Sequence, residues 1–365
     1  MQAAHMFSSV SQTRFSRWPS LVSRSATGLV AALLMAHGSV HAADAPAATS
    51  AATAQAGQGA DATPAVAQLQ RDGDQVVVRH AKGQARFAHN PQTVVVFDLA
   101  TLDILHALGV EAVKGVPAFK MPDSLKQYEG EAYTRVGSLF EPDYEAIRAL
   151  QPDVILIGRR SESRFDDLNK LAPTVGMAID ESRPVESIFT NVRTLGALFD
   201  RQEQAEALIA QTRQSIAELK AIAPQAGRTL LLLSSGGRIN SYGPGSRFGM
   251  VFDEFGFVPV REDFSAARHG QSISFEYILQ ANPDWLLVMD RDSAIGREGE
   301  AARRLLDNAL IHATNASRKK QIVYLNAVNW YVLDGAGIRA LQDNVAQLRN
   351  ALTAGVKSSN TAGAR

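Results

Sequence analysis

The sequence predicts two α/β lobes made from one chain, and three observations carry that reading. First, a pattern returns. Asp143-Tyr144-Glu145-Ala146-Ile147 leads into Gln151-Pro152-Asp153-Val154-Ile155-Leu156, and Ser274-Phe275-Glu276-Tyr277-Ile278 leads into Asn282-Pro283-Asp284-Trp285-Leu286-Leu287. Both read E-x-I-x-x-x-x-P-D-x-[IL]-L, a short helix feeding an apolar strand through a Pro-Asp turn. The copies lie 131 positions apart, from 145 to 276, too far for a solenoid repeat and about one domain's length. Second, strand-like and helix-like segments alternate in both halves, which points to largely parallel sheets. Third, a long helical stretch separates the two series. Two such lobes facing each other form a cleft, a favoured place for a ligand.

The N-terminus reads as a targeting segment. Arg14, Arg17 and Arg24 form a positive region, Ala26 to Val40 is a short apolar run, and Val40-His41-Ala42 has the small-x-Ala pattern of a signal-peptidase site. Residues 1–42 are therefore expected to be removed, with cleavage after Ala43 as the alternative. The apolar run is short for a membrane span, which needs about 20 residues. The chain contains no cysteine, which excludes lipid attachment, disulfides, thiolate metal sites and cysteine nucleophiles. A periplasmic, untethered protein is expected. The whole chain holds 37 basic and 37 acidic residues. Losing residues 1–42 removes three Arg and leaves 34 basic against 37 acidic residues. Nothing in this balance points to nucleic acid, so any cationic site must be local.

The remaining elements follow in order. Residues 43–72 are read as a flexible leader, because the Ala/Thr/Gln/Pro-rich composition offers almost no large apolar groups to bury. Gln75–Arg79 and Ala85–Phe87 flank Lys82-Gly83 as a hairpin, and Thr93–Phe97 is an apolar strand. Leu99 to Leu108 has helical spacing and ends at Gly109. Asp153 to Ile157 is a buried strand. Residues 186–199 and 202–222 are the longest helical stretches, the second with an apolar stripe at Ala205, Leu208, Ile209, Ile216 and Leu219. Leu230–Leu233 opens a second series, with strands at Trp285–Met289 and Gln321–Leu325 and a closing amphipathic helix over 336–351. The expected organisation is an N-terminal lobe at 73–184, a connecting helical segment at 185–226, a C-terminal lobe at 227–355 and a flexible tail at 356–365.

Catalytic motifs are absent. There is no P-loop, no H-E-x-x-H and no G-x-S-x-G. Gly335-Ala336-Gly337-Ile338-Arg339-Ala340 matches a dinucleotide fingerprint superficially, but 25 residues cannot supply the βαβ unit that must follow. An enzyme is not expected. Three arginines stand out instead. Arg159 and Arg291 follow equivalent strands of the two halves, and Arg247 follows the Gly/Pro loop Tyr242-Gly243-Pro244-Gly245-Ser246. Ligands of open α/β sheets bind beyond the carboxyl ends of the strands. One such arginine reads as a solvated loop residue; the coincidence in both halves favours a site. His269 and Tyr331 also fall in strand-to-helix loops, where structural roles and iron ligation are balanced: imidazole suits iron, and a phenolate can bind ferric iron. Glu145 and Glu276 hold equivalent places in the repeat. Each is by default a surface charge, but the pair also makes a two-point docking surface for a partner with two basic pockets.

These residues resemble the periplasmic substrate-binding proteins of bacterial ferric-siderophore ABC importers, above all those for catecholate-type siderophores. The resemblance covers about residues 75–352. It rests on Val95-Val96-Phe97-Asp98-Leu99, Leu139-Phe140-Glu141-Pro142-Asp143, Tyr242-Gly243-Pro244-Gly245-Ser246-Arg247-Phe248-Gly249, His269-Gly270-Gln271-Ser272-Ile273-Ser274-Phe275-Glu276-Tyr277 and Asp290-Arg291-Asp292-Ser293-Ala294-Ile295-Gly296. It implies two Rossmann-like lobes joined by one long helix, with little hinge motion. It implies that Arg159, Arg247 and Arg291 line a cationic pocket for an anionic ferric complex, that His269 and Tyr331 can complete the iron shell, and that Glu145 and Glu276 contact a dimeric permease. Arg160 departs from the expected pattern, and either Arg159 or Arg160 can face the pocket. Tyr242 and Trp330 are expected to pack against catechol rings. Fixed guanidinium forks suit such hard anionic oxygens. No permanently bound cofactor is expected, Fe(III) being cargo, and the protein is expected to be a monomer. Haem, cobalamin or a hydroxamate complex are the rival ligands; an exported siderophore-processing enzyme is the rival from another class.

Overall fold

The computed structural model describes residues 64–261, 269–297 and 301–362, without the side chains of 355–362. The expected signal peptide and most of the leader lie outside these residues. The described residues form three sheets. β1 (Gln68–Asp72), β2 (Gln75–His80) and β3 (Gly83–Ala88) form an antiparallel meander, with the expected hairpin between β2 and β3. β4 (Val94–Val96), β5 (Val113–Val116), β6 (Thr134–Arg135), β7 (Val154–Ile157) and β8 (Thr174–Gly176) form a parallel sheet in the order β6-β5-β4-β7-β8. β9 (Arg228–Ser235), β10 (Arg238–Tyr242), β11 (Val258–Pro259), β12 (Gln271–Ser272), β13 (Trp285–Asp290) and β14 (Ile322–Tyr324) form a mixed sheet in the order β12-β10-β9-β13-β14, with β11 beside β9.

Alternation along the strands explains why they read as unbroken apolar runs. Val94 and Val96 join one core, while Val95 and Phe97 join another on the opposite face of the sheet. Leu231 and Leu233 likewise separate from Leu230 and Leu232. Parallel strands covered on both faces have this pattern. The first core is shared by both large sheets and by the helices Leu99–Ala107, Pro184–Leu198, Gln202–Ile222 and Ile338–Ala362. The connecting segment is thus a pair of helices, the longer of 21 residues. Its buried positions are Ala205, Leu208, Ile209, Thr212, Ile216 and Leu219, the expected stripe plus Thr212. Thr212 belongs there because its hydroxyl donates to the Leu208 carbonyl and accepts from Gln342 of the closing helix.

The repeat has a structural counterpart. Asp143 and Ser274 cap the helices Tyr144–Leu150 and Phe275–Ala281, whose last residues give way to left-handed Gln151 (φ 49°) and Asn282 (φ 41°). The following aspartates tie down a neighbouring strand. Asp153 Oδ2 accepts from the amides of Gln92 and Thr93, and Asp284 Oδ2 accepts from the amide of Arg228. The Pro-Asp turn therefore fixes each lobe's strand entry.

Two boundaries differ from expectation. β1 lies inside the stretch read as leader: its side chains are mostly exposed, and it is held by its ladder to β2 and by the Thr194 hydroxyl bonded to the Ala67 carbonyl. The closing helix runs to Ala362 instead of ending near 351. No proline interrupts it, and the single Gly355 costs only about 1 kcal/mol relative to alanine.

Candidate functional site

The carboxyl ends of β7 and β13 carry Gly158-Arg159-Arg160 and Asp290-Arg291. β4 and β7 are neighbours although β5 and β6 intervene in the chain, so their carboxyl ends mark the point where strand order reverses, a favoured ligand position. Gly158 is required there, because a Cβ would collide with the Asp98 carboxylate. Asp98 caps the helix Leu99–Ala107 through the Thr101 amide, and burial pushes its carboxyl up despite the hydrogen bonds from Thr101.

The arginines converge on the segment 331–334. Arg159 Nη2 donates to Asp334 Oδ2 at 2.7 Å. Arg247 Nε donates to Asp334 Oδ1 at 3.0 Å, and its Nη2 bonds the same oxygen and the Tyr331 carbonyl. Arg160 donates to the carbonyls of Tyr331 and Val332, each at 2.7 Å, and lies 3.5 Å from Asp334. Arg291 Nε donates to the Tyr331 hydroxyl at 2.8 Å. The guanidinium carbons of Arg247 and Arg291 stand 4.9 and 5.5 Å from the centre of the Tyr331 ring. Burial opposes the charge of Asp334, but Arg160, Arg247 and Arg159 hold its carboxyl below the usual range. A pocket of about 160 Å³ opens beside them, lined by Arg159, Arg247 and Asp334 among others. Arg160, Arg291 and Tyr331 are not among its lining residues, whereas the carboxylates of Asp98, Glu162 and Glu181 are. The pocket is therefore of mixed charge and Arg291 stands outside it, contrary to expectation; Arg160 instead braces the 331–332 backbone.

Tyr331 reaches this position through a π-helical turn, Val328–Val332, a local irregularity often found at functional sites. The same turn buries its neighbour. Trp330 is 0% exposed and packs edge-on against Phe255, so it does not reach a ligand in the cleft, contrary to expectation. Tyr242 is also corrected. It is 2% exposed, packed against Phe248, and roofed by Gly270, where a Cβ would lie 2.9 Å from the Tyr242 ring. Both aromatic rings belong to the core that supports the arginines.

His269 is exposed at the entry to β12, its carbonyl accepting from Asn240. No group of three or more His, Asp and Glu side chains suited to hold a metal exists among the described residues. Glu145 and Glu276 are exposed in the first turns of the two equivalent helices. The Ser274 hydroxyl holds the Glu276 carboxyl below its ordinary range. Asp334 escaped the sequence reading. The available signal was that it is the sole charged residue between Asn326 and Gly337.

The rejected glycine motif also finds its purpose. Asp103, 0% exposed, accepts from the Arg339 amide at 2.8 Å and so caps the closing helix from the N-terminal lobe. Gly337 permits the approach, since a Cβ there would lie 2.5 Å from the Asp103 carboxylate.

Comparison with known proteins agrees with this architecture. The family model described as periplasmic binding protein matches residues 94–328. The petrobactin-binding protein YclQ of Bacillus subtilis is 34% identical over 283 residues, covering 76% of this chain and 89% of that protein. The ferric-anguibactin-binding protein FatB of Vibrio anguillarum is 32% identical, covering 70% and 81%. The crystal structure of the periplasmic catecholate-siderophore binding protein VctP from Vibrio cholerae superposes with a TM-score of 0.71 at 34% identity, over 76% of this chain and 99% of that one. With its two α/β lobes and the arginines gathered between them, this chain belongs to the periplasmic binding protein family.

Proposed function

We propose that this protein captures an anionic ferric siderophore of the catecholate type between its lobes and delivers it to an inner-membrane ABC permease. The observation that carries the reading is the meeting of Arg159 from one lobe with Arg247 from the other at Asp334, beside Tyr331, which Arg247 and Arg291 flank. Guanidinium groups stay charged at any working pH and offer directed donors to catecholate oxygens. A neutral hydroxamate complex has no use for such a cluster. The names of YclQ, FatB and VctP, a petrobactin, a ferric-anguibactin and a catecholate-siderophore binder, support the same ligand class. Iron is cargo in this reading, and no reaction is assigned to the chain. His269 and Tyr331 supply imidazole and phenol ligands when a siderophore leaves coordination sites open.

The lobe boundaries proposed are 73–184 and 227–355, with 185–226 between them. Residues 1–42 direct export and are cleaved; a mass of the periplasmic protein that retains them would oppose this. Glu145 and Glu276 seat the monomeric receptor on its permease dimer. The deciding experiment for the ligand is a fluorescence-quenching titration against ferric tris-catecholate, ferric tris-hydroxamate, haem and cobalamin. Tightest binding of the ferric tris-catecholate is expected. A preference for haem, cobalamin or the neutral hydroxamate complex overturns the reading.

A further inference from the structure

Asp334 sits where an anionic ligand is expected to sit. One carboxylate oxygen takes the hydrogen bond of Arg159, from the N-terminal lobe, and the other takes those of Arg247, from the C-terminal lobe. Arg160 adds a longer contact at 3.5 Å. The side chains are partly screened from water, with 28% of Arg159, 10% of Arg247 and 17% of Asp334 exposed. Charge interactions are stronger in such a setting than on an open surface. Arg291 is held less firmly: its carboxylate contact, to Asp292, is 3.8 Å long, and Arg297 shares that carboxylate at 3.5 Å.

We propose that Asp334 is a built-in counter-anion, which locks Arg159 and Arg247 together in the unliganded protein and sets the ligand charge needed to win them. This rests on the ligand class proposed above. Each guanidinium has five donors, so a multiply charged complex can take some while Asp334 keeps others, or displace it. A small singly charged anion has too little charge to compete. The aspartate thus lowers affinity for every anionic ligand and restricts the cleft to highly charged ones. It also accounts for Arg160, whose strut to the carbonyls of Tyr331 and Val332 fixes the turn that carries Asp334.

The test compares wild type with Asp334→Asn and with the smaller Asp334→Ser. The probes are a trianionic ferric tris-catecholate and a neutral ferric tris-hydroxamate at fixed ionic strength. Folding of each variant is checked by thermal unfolding without ligand. Both variants are expected to bind the trianion roughly ten-fold tighter or more, since one like charge has left the site. The neutral complex is expected to change by less than about two-fold, since it carries no net charge to repel. Weaker or unchanged binding of the trianion by a folded variant overturns the role of Asp334 and leaves the ligand reading standing. A wild type that binds no trianion overturns the ligand reading and this inference together.

Discussion

Replacing Arg247 by alanine removes the guanidinium that is most enclosed within the cluster. Its side chain is 10% exposed, bonds Asp334 through Nε at 3.0 Å, bonds the Tyr331 carbonyl at 3.0 Å, and lies over the rings of Phe248 and Tyr331 at 4.7 and 4.9 Å. The fold should survive. Asp334 keeps Arg159 at 2.7 Å and Arg160 at 3.5 Å, so no buried carboxylate is stranded. The lost ring contacts are worth about 0.5–1 kcal/mol each, enough to lower the unfolding midpoint by a few degrees. Ligand binding should suffer more. A charge-assisted hydrogen bond contributes about 1.5–3 kcal/mol, which corresponds to roughly ten- to hundred-fold weaker binding of a ferric tris-catecholate. Arg247→Lys keeps the charge but not the fork, and should fall between the two. Fluorescence quenching measures the affinities, and thermal unfolding checks the fold. Wild-type affinity in a folded Arg247→Ala protein would refute the placement of the anion at this cluster.

Three further outcomes are expected. Tyr331→Phe removes the oxygen that accepts from Arg291, and should abolish a phenolate-to-iron charge-transfer band with a tetradentate ferric complex while changing hexadentate affinity much less; equal losses would mean that Tyr331 only packs. The double change Glu145→Ala and Glu276→Ala should leave siderophore affinity intact and reduce uptake in cells, because two weak contacts seated together gain from effective concentration; normal uptake would remove the docking role. Burial raises the Asp103 carboxyl from 3.8 to about 7, against the Arg339 and Ala340 amides. The folded protein then holds a proton that the unfolded chain releases, so this group favours folding most below pH about 4, and that advantage is lost by pH about 7, by at most ~4 kcal/mol. Urea unfolding at several pH values should find this slope in wild type and not in Asp103→Asn; parallel profiles would count against it.

Several features of this protein were set by local pattern. The hairpin between β2 and β3, the doubly buried Leu230–Leu233 run and the repeated caps at Asp143 and Ser274 follow from periodicity, turn residues and capping chemistry acting over a few positions. The equivalence of Arg159 and Arg291 was legible too, because matching strand ends place matching residues at the carboxyl edges of the two sheets. Tertiary structure decided the rest. β1 is held by a ladder and not by its own apolar groups, so composition hid it. Tyr242 ends β10 just before the loop that carries Arg247, and Trp330 sits in the π-helical turn beside Tyr331, yet both rings are directed into the core and buried. Asp334 meets Arg159 across 175 positions of chain, and Asp103 caps a helix that starts 235 positions later. Such pairings leave no trace in neighbouring residues. A buried charge must find its partner wherever the packed chain brings one, and only the folded lobes determine which arginine faces the pocket and which one braces it.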